Sequence, residues 1–313
     1  SARLATAVRE AGWLELRGDG GDGAALASGV EAAIIADALG EVVADVPFTG
    51  PTLAAELARR AGTRPVDGAV VAFSADLIGA AVVSGPATGE PVLAVDCTAD
   101  GPIAAYVLIP DGDGYRLGVV EAEANRAREG SDLTRAIRSL PAGASIAPVP
   151  GQSRRLTRDD LEAFAALGLA LTSADLVGLM RGVLDLSVDY AKMRRQYGVA
   201  VGSLQAVQHL LAESRCLLEG ALSAALYPAW AVDQLEPGEA CAAGRGAKAY
   251  GARAARTVCE TAVQVHGGIG NTWDCTVHLH LRRALLSSQW FGDDGEQLRQ
   301  LERTRLGVTH GLS

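Results

Sequence analysis

Two short strings in this chain carry residue types whose spacing could do chemistry. The first is Tyr190-Ala191-Lys192-Met193-Arg194-Arg195-Gln196-Tyr197-Gly198, with Ser203-Leu204-Gln205 close behind it. Two arginines at the end of a helical run, followed by a fresh helix start, offer a cationic fork and outward backbone N–H groups, a combination suited to a pyrophosphate. The same residues can equally complement the negative end of a helix dipole, which needs no ligand. The second string is Gln264-Val265-His266-Gly267-Gly268-Ile269-Gly270. Its glycines would let a ligand approach the backbone closely. It follows a helical pattern instead of joining a strand to a helix, so a Rossmann fingerprint is rejected, and a glycine helix stop accounts for it as well.

The elements that must position these strings are long. Thr157-Arg158-Asp159-Asp160 reads as an N-cap with an acidic first turn, opening an apolar-periodic run to about Arg195. A second helix is expected from Ser203 to about Val232 and a third from about Glu239 to Val265, bounded by Pro237 and by Gly267-Gly268. A loop at residues 271–274, a shorter helix through His280, Arg282 and Leu286, and a last helix from Asp294 to Leu306 complete an antiparallel bundle of four or more helices. Upstream, residues 24–62 read as a small helical lobe broken at Pro47 and again at Pro51. Between them, β-branched runs at residues 69–73, 92–97, 103–109 and 115–120 predict strands, and Asp111-Gly112-Asp113-Gly114 predicts a hairpin turn. The stretch 121–155 fits either a linker or further strands. The expected fold is mainly α with a small β domain: a helical lobe at 1–64, a β domain and linker at 65–155, and a helical bundle at 156–313.

Composition narrows the function. A chain of 313 residues with 49% hydrophobic and 21% charged content is globular rather than disordered. Its net charge of −9 disfavours nucleic acid as a partner. The five cysteines lack CxxC spacing, which points to reduced cytoplasmic thiols and to no metal site. No run of about 18 apolar residues and no leader pattern is visible, so neither a membrane span nor a secretory signal is expected.

Taken in order, the Met-Arg-Arg-Gln-Tyr-Gly helix end at 193–198, the Gly202-Ser203-Leu204-Gln205-Ala206-Val207-Gln208 start, the 264–270 loop and the closing His280-Leu281-Arg282-Arg283-Ala284 resemble the C-terminal bundle of the FAD-dependent acyl-CoA dehydrogenases. The resemblance covers about residues 157–306. It extends more weakly over 10–62, where Ala11-Gly12-Trp13-Leu14 and Ala38-Leu39-Gly40 resemble the family's first helical lobe. It implies an FAD cofactor contacted by Arg194, Gln196, Tyr197, Gln205, Gln264, Gly267 and Gly268, with the glutamine-glycine loop reaching the FAD of a neighbouring subunit. An acyl-CoA substrate, a subunit partner and an electron-transferring flavoprotein as acceptor follow from the same resemblance.

The chain also departs from the family. Such enzymes abstract an α-proton with a glutamate while hydride leaves for the flavin. The two positions the family uses for that base fall at Phe291 and near Gly168, and neither is acidic. Asp175, Asp293 and Asp294 lie close by, but an aspartate at a helix start usually caps it, and His266 and His280 read as structural. No catalytic residue is therefore assigned. The β segment also lacks the tryptophan and hydroxyl pattern that the family places beside the flavin ring, and the first helical lobe is short. In these respects the chain resembles one partner of the actinobacterial heteromeric, α2β2 acyl-CoA dehydrogenases that process sterol-derived thioesters. A non-catalytic scaffold and a flavin oxidase or monooxygenase on the same fold are the competing readings.

Overall fold

The computed structural model describes residues 2–21, 23–99, 101–122 and 130–305. Helices α1 (Ala2–Glu10), α2 (Gly29–Glu41) and α3 (Thr49–Arg60) form the N-terminal lobe. Strands β1 (Val70–Phe73), β2 (Val92–Cys97), β3 (Ile103–Asp111), β4 (Gly114–Ala122), β5 (Ala136–Leu140) and β6 (Ile146–Pro148) build one sheet in the order β5-β2-β1-β3-β4-β6. Helices α4 (Arg158–Met193), α5 (Gln205–Gln234), α6 (Pro237–His266), α7 (Val277–Gln289) and α8 (Asp294–Arg305) make the bundle. A two-residue ribbon, β7 (Arg195–Gln196) with β8 (Val199–Ala200), joins α4 to α5.

The β-branched runs pair as their alternation demands. In the sheet β1 lies parallel to β3 and the other pairs are antiparallel. The Asp111-to-Gly114 turn closes the β3–β4 hairpin with Gly112 at φ 67°, a conformation that glycine adopts without steric cost. The stretch whose composition fits a linker or strands supplies β5 and β6, while its residues 123–129 lie outside the described residues, as does Leu306 at the expected end of the last helix.

Pro51 does not break a helix. It occupies the first turn of α3, where its missing N–H needs no intrahelical partner, so the second expected break is instead a helix start.

Helix α4 begins on a capping box, with the Thr157 hydroxyl accepting from Asp160 N and the Asp160 carboxylate accepting from Thr157 N. It is long and apolar enough to cross a bilayer, yet 94% of its most apolar window is buried inside the protein, so it is the core helix of the bundle. Its Gly178 and Gly182 take the backbone of α2 at Asp37 and Glu41 so closely that a β-carbon on either would overlap it. A buried Arg17, shared by Glu56 at 3.0 Å and Asp233 at 2.9 Å, ties the lobe to the far end of α5.

Candidate functional site

The residues expected to meet a cofactor gather at one end of the bundle. Tyr190, in the last turn of α4, stacks on His266, in the last turn of α6, with ring centroids 4.3 Å apart, and its hydroxyl donates to the His266 carbonyl at 3.3 Å. That contact brings the two sequence strings together. After α4 the chain makes a hairpin whose central residues, Tyr197 (φ 53°) and Gly198 (φ 81°), both adopt the left-handed region that a two-residue type I′ turn requires. Val201 N donates to the Arg194 carbonyl at 2.8 Å and closes the ribbon's base.

Arg194, Gln196, Tyr197, Gln205, Gln264, Gly267 and Gly268 are all exposed, Tyr197 at 93%. Gly267 (φ 64°) ends α6, and the space beside Gly267 and Gly268 is open, so a ligand can reach their backbone. Around these polar groups lie Met193 at 74% and Trp273 at 79% exposure. The edge could meet a pyrophosphate through the charge of Arg194 and Arg195, and the glycine loop after the C-terminus of α6 adds only room for close approach. His266 and His280 are structural. His266 is buried under Tyr190, and His280 reaches the Thr276 and Glu41 carbonyls at 3.2 Å, with burial holding its pKa below the ordinary value.

The junction of sheet and bundle, where the family's base positions fall, is different and is packed shut. Phe291 and Gly168, distant in sequence, face each other across it. A β-carbon on Gly168 would overlap the Phe291 ring. Phe291 is buried in an aromatic cluster with Phe73 at 5.3 Å, Phe164 at 5.7 Å and Trp290 at 6.1 Å between ring centroids. Its turn is held from several sides. Phe291 N donates to the Leu77 carbonyl of the β1–β2 connection at 2.8 Å, Lys248 Nζ donates to the Trp290 carbonyl at 2.5 Å, and Gln297 Nε2 donates to the Phe291 carbonyl at 2.5 Å. These contacts impose a φ of 66° on Phe291, rarely adopted by a bulky residue. Both positions that could bear a base are thus one packed contact with no carboxylate in it.

Asp175 is not a helix cap. It lies two turns beyond Gly168 in the middle of α4, fully buried, and accepts from Arg283 Nη2 at 2.7 Å and Ser287 Oγ at 2.6 Å, with Arg135 Nη2 at 2.7 Å. Burial works to raise its pKa, but the Arg135 and Arg283 guanidiniums outweigh that and hold the carboxyl below its ordinary value. Such an aspartate is held as a carboxylate with both oxygens already engaged by Arg283, Ser287 and Arg135. Asp293 does sit at a helix start, its carboxylate accepting from Glu296 N at 2.7 Å, and Asp294 pairs with Arg253 on the surface. Sequence reasoning misses Arg135, Lys248 and Ser287, although a lone aspartate inside the apolar α4 run is a visible signal that a buried cation must meet it.

The profile of the acyl-CoA dehydrogenase C-terminal domain matches residues 166–306. A chain of the ChsE4-ChsE5 complex from Mycobacterium tuberculosis superimposes with a TM-score of 0.77 at 23% identity, over 99% of this chain and 89% of that one. A chain of the Tcur3481-Tcur3483 steroid ACAD does so with a TM-score of 0.76 at 22% identity, over 98% and 89%. The fold is therefore that of the acyl-CoA dehydrogenases. The acyl-CoA dehydrogenase IpdE2 of Mycobacterium tuberculosis is 32% identical over 298 residues, covering 90% of this chain and 79% of that protein. FadE34 of the same organism is 38% identical over 149 residues, yet the chain spans only 21% of its length. The chain belongs to the acyl-CoA dehydrogenase family.

Proposed function

We propose that this chain is the non-catalytic half of a heteromeric flavin-dependent acyl-CoA dehydrogenase, lending one edge to a flavin seated on a partner subunit that supplies the glutamate. The observation that carries this reading is the Phe291 ring packed onto Gly168. It fills the chain's own crevice, so residues of the described chain cannot accommodate a flavin ring and a thioester there, and no base stands beside them.

The exposed edge, in contrast, is suited to a dinucleotide. Arg194 would pair with a pyrophosphate through its guanidinium fork, Gln205 and Gln264 would hydrogen-bond, Gly267 and Gly268 would let the backbone approach, and Gln196 and Tyr197 would line the ribbon. FAD, when bound, supplies the hydride acceptor for α,β-desaturation of an acyl-CoA. This chain's part is to hold and orient the dinucleotide and to exclude water from its far end. The steroid ACAD among the structural neighbours supports a sterol-derived acyl group and an unlike partner in a heterotetramer. An electron-transferring flavoprotein is the proposed acceptor, and five free cysteines support a cytoplasmic setting.

The test is co-expression with a candidate dehydrogenase subunit and measurement of flavin absorbance per mole of complex. One FAD per pair of unlike chains is expected. Two per pair, or flavin bleaching by an acyl-CoA in the partner-free chain, would overturn the reading.

A further inference from the structure

The segment just before β5 lies along α7 and fastens the sheet to the bundle. Arg282 Nη1 donates to the Ser131 carbonyl at 3.2 Å, Arg283 Nη1 reaches Thr134 Oγ1 at 3.4 Å, and Arg135 Nη1 donates to Ser287 Oγ at 2.6 Å. Arg135 is the deepest of these. Its side chain is 2% exposed, its other terminal nitrogen pairs with Asp175 at 2.7 Å, its Nε lies 3.8 Å from Asp96, and its guanidinium carbon sits 5.7 Å from the Trp290 ring centroid.

Each partner belongs to a different element. Asp175 is on α4, Ser287 on α7, Trp290 in the turn carrying Phe291, and Asp96 at a bulge in β2. Asp96 in turn accepts from Phe48 N and Gly50 N at 3.0 Å and so caps the start of α3, while Arg283 Nη1 donates to the Ala44 carbonyl at 2.8 Å. Lobe, sheet and bundle therefore meet at one group of buried charges.

We propose that Arg135 is a bolt that holds the sheet against the bundle and keeps the chain's own crevice shut over Phe291, so that the junction stays closed without a ligand between its walls. This rests on the reading of that crevice as filled. The physical basis is geometric: a guanidinium presents its donors in a rigid fork, and here the fork reaches a carboxylate and a hydroxyl while its face meets an aromatic ring. The sheet side also reaches the plug turn through Phe291 N, which donates to the Leu77 carbonyl. Loss of the bolt should release that backbone contact too.

Arg135→Met tests this, because Asp175 keeps Arg283 and Ser287 as partners and α4 keeps its packing. Hydrogen exchange read by mass spectrometry on the complex with its partner subunit should accelerate at least tenfold in peptides covering 74–80 and 289–293. Peptides of α5 should keep their wild-type rates. Should that variant fail to assemble, Ser287→Ala, which removes one acceptor of the fork together with the hydroxyl's bond to Asp175, should accelerate the same two segments about threefold. Unchanged exchange in both segments, or acceleration spread equally over α5, would overturn the proposal. The flavin count of the same samples is read separately: a second flavin per pair sinks the reading of the filled crevice, whereas one flavin with unchanged exchange sinks the bolt alone.

Discussion

Asp175→Asn removes one negative charge from a fully buried site. In the wild type the carboxylate balances two guanidiniums, Arg135 and Arg283, whose side chains are 2% and 3% exposed. The amide keeps one acceptor oxygen, but it turns an NH2 group toward donors; Arg135 retains Asp96 at 3.8 Å, whereas Arg283 loses the carboxylate it pairs with. Removing one member of a buried ion pair costs about 3–5 kcal/mol, because the stranded charge keeps its desolvation penalty. Against the roughly 5–15 kcal/mol that holds a typical protein folded, that is a large share. Taking about 2 °C per kcal/mol, the lower end for larger domains, the melting temperature of the complex should fall by roughly 6–10 °C.

The pH dependence supplies a second reading with a definite sign. A carboxyl whose folded pKa is depressed contributes stability that is present above its unfolded value, 3.8, and is lost as pH falls through the folded value. The stability difference between wild type and variant should therefore be constant near neutrality and shrink below about pH 4. Asp293→Asn and Asp294→Asn are the controls: asparagine caps a helix as well as aspartate does, and an exposed pair is worth only about 0–1 kcal/mol. A melting temperature for Asp175→Asn within a degree of wild type, or one matched by the controls, would refute the reasoning.

Arg194→Ala should weaken FAD retention by the complex by about 1.5–3 kcal/mol, roughly ten- to a hundredfold in dissociation constant, measured as flavin occupancy at limiting FAD. Phe291→Glu should give no dehydrogenase activity in the partner-free chain, since the new carboxyl is buried among Phe73, Phe164 and Trp290; flavin bleaching by an acyl-CoA would contradict this. Gly168→Ala should destabilise by about 1–3 kcal/mol through overlap with the Phe291 ring, and Phe291→Leu should relieve part of that cost in a double-mutant cycle; additive effects would show the two do not touch. Burial pushes the Lys248 ammonium down to about 7 from 10.5, despite Asp293 and Asp175 nearby. The unfolded chain then binds more protons than the folded one between those values, so wild-type stability should rise by up to about 1.4 kcal/mol per pH unit above pH 7 relative to Lys248→Met, and parallel curves in urea titrations would refute it.

The long helices are legible because a 3.6-residue apolar repeat sustained over many turns suits no regular structure but a helix, and their ends carry caps and glycines. Pro51 misleads because a proline marks a helix start as readily as a stop, and only the preceding residues' backbone decides which. The strands β5 and β6 are obscure on different grounds. Residues Ala136–Leu140 contain Arg138, and Ile146–Pro148 ends on a proline at the sheet edge, so neither shows the clean alternation of a half-buried strand. Tertiary pairing with β2 and β4 makes them strands.

The two ends of the candidate site differ in legibility for a physical reason. An exposed ligand edge is built from a few adjacent residues, because a fork of arginines or a pair of glycines acts through what it presents locally, and so Arg194 and Gly267 stand out in a linear string. A closed crevice is built from contacts between elements. Gly168 means nothing alone, and Phe291 alone reads as one more core aromatic; only when α4 lies against the 290–292 turn does the missing β-carbon of one become the seat of the other's ring. The same holds for Asp175, whose neighbours Arg135 and Arg283 come from the sheet side and from α7. A residue lost from such a place leaves room that something must fill, since interiors pack as densely as organic crystals. Here an aromatic ring fills the room, and the buried ion-pair group reaches the same cluster through Arg135 over the Trp290 ring. The contact between α4 and the 290–292 turn is thereby packed and structural, and on the proposed reading the dinucleotide is met instead at the exposed end of the bundle.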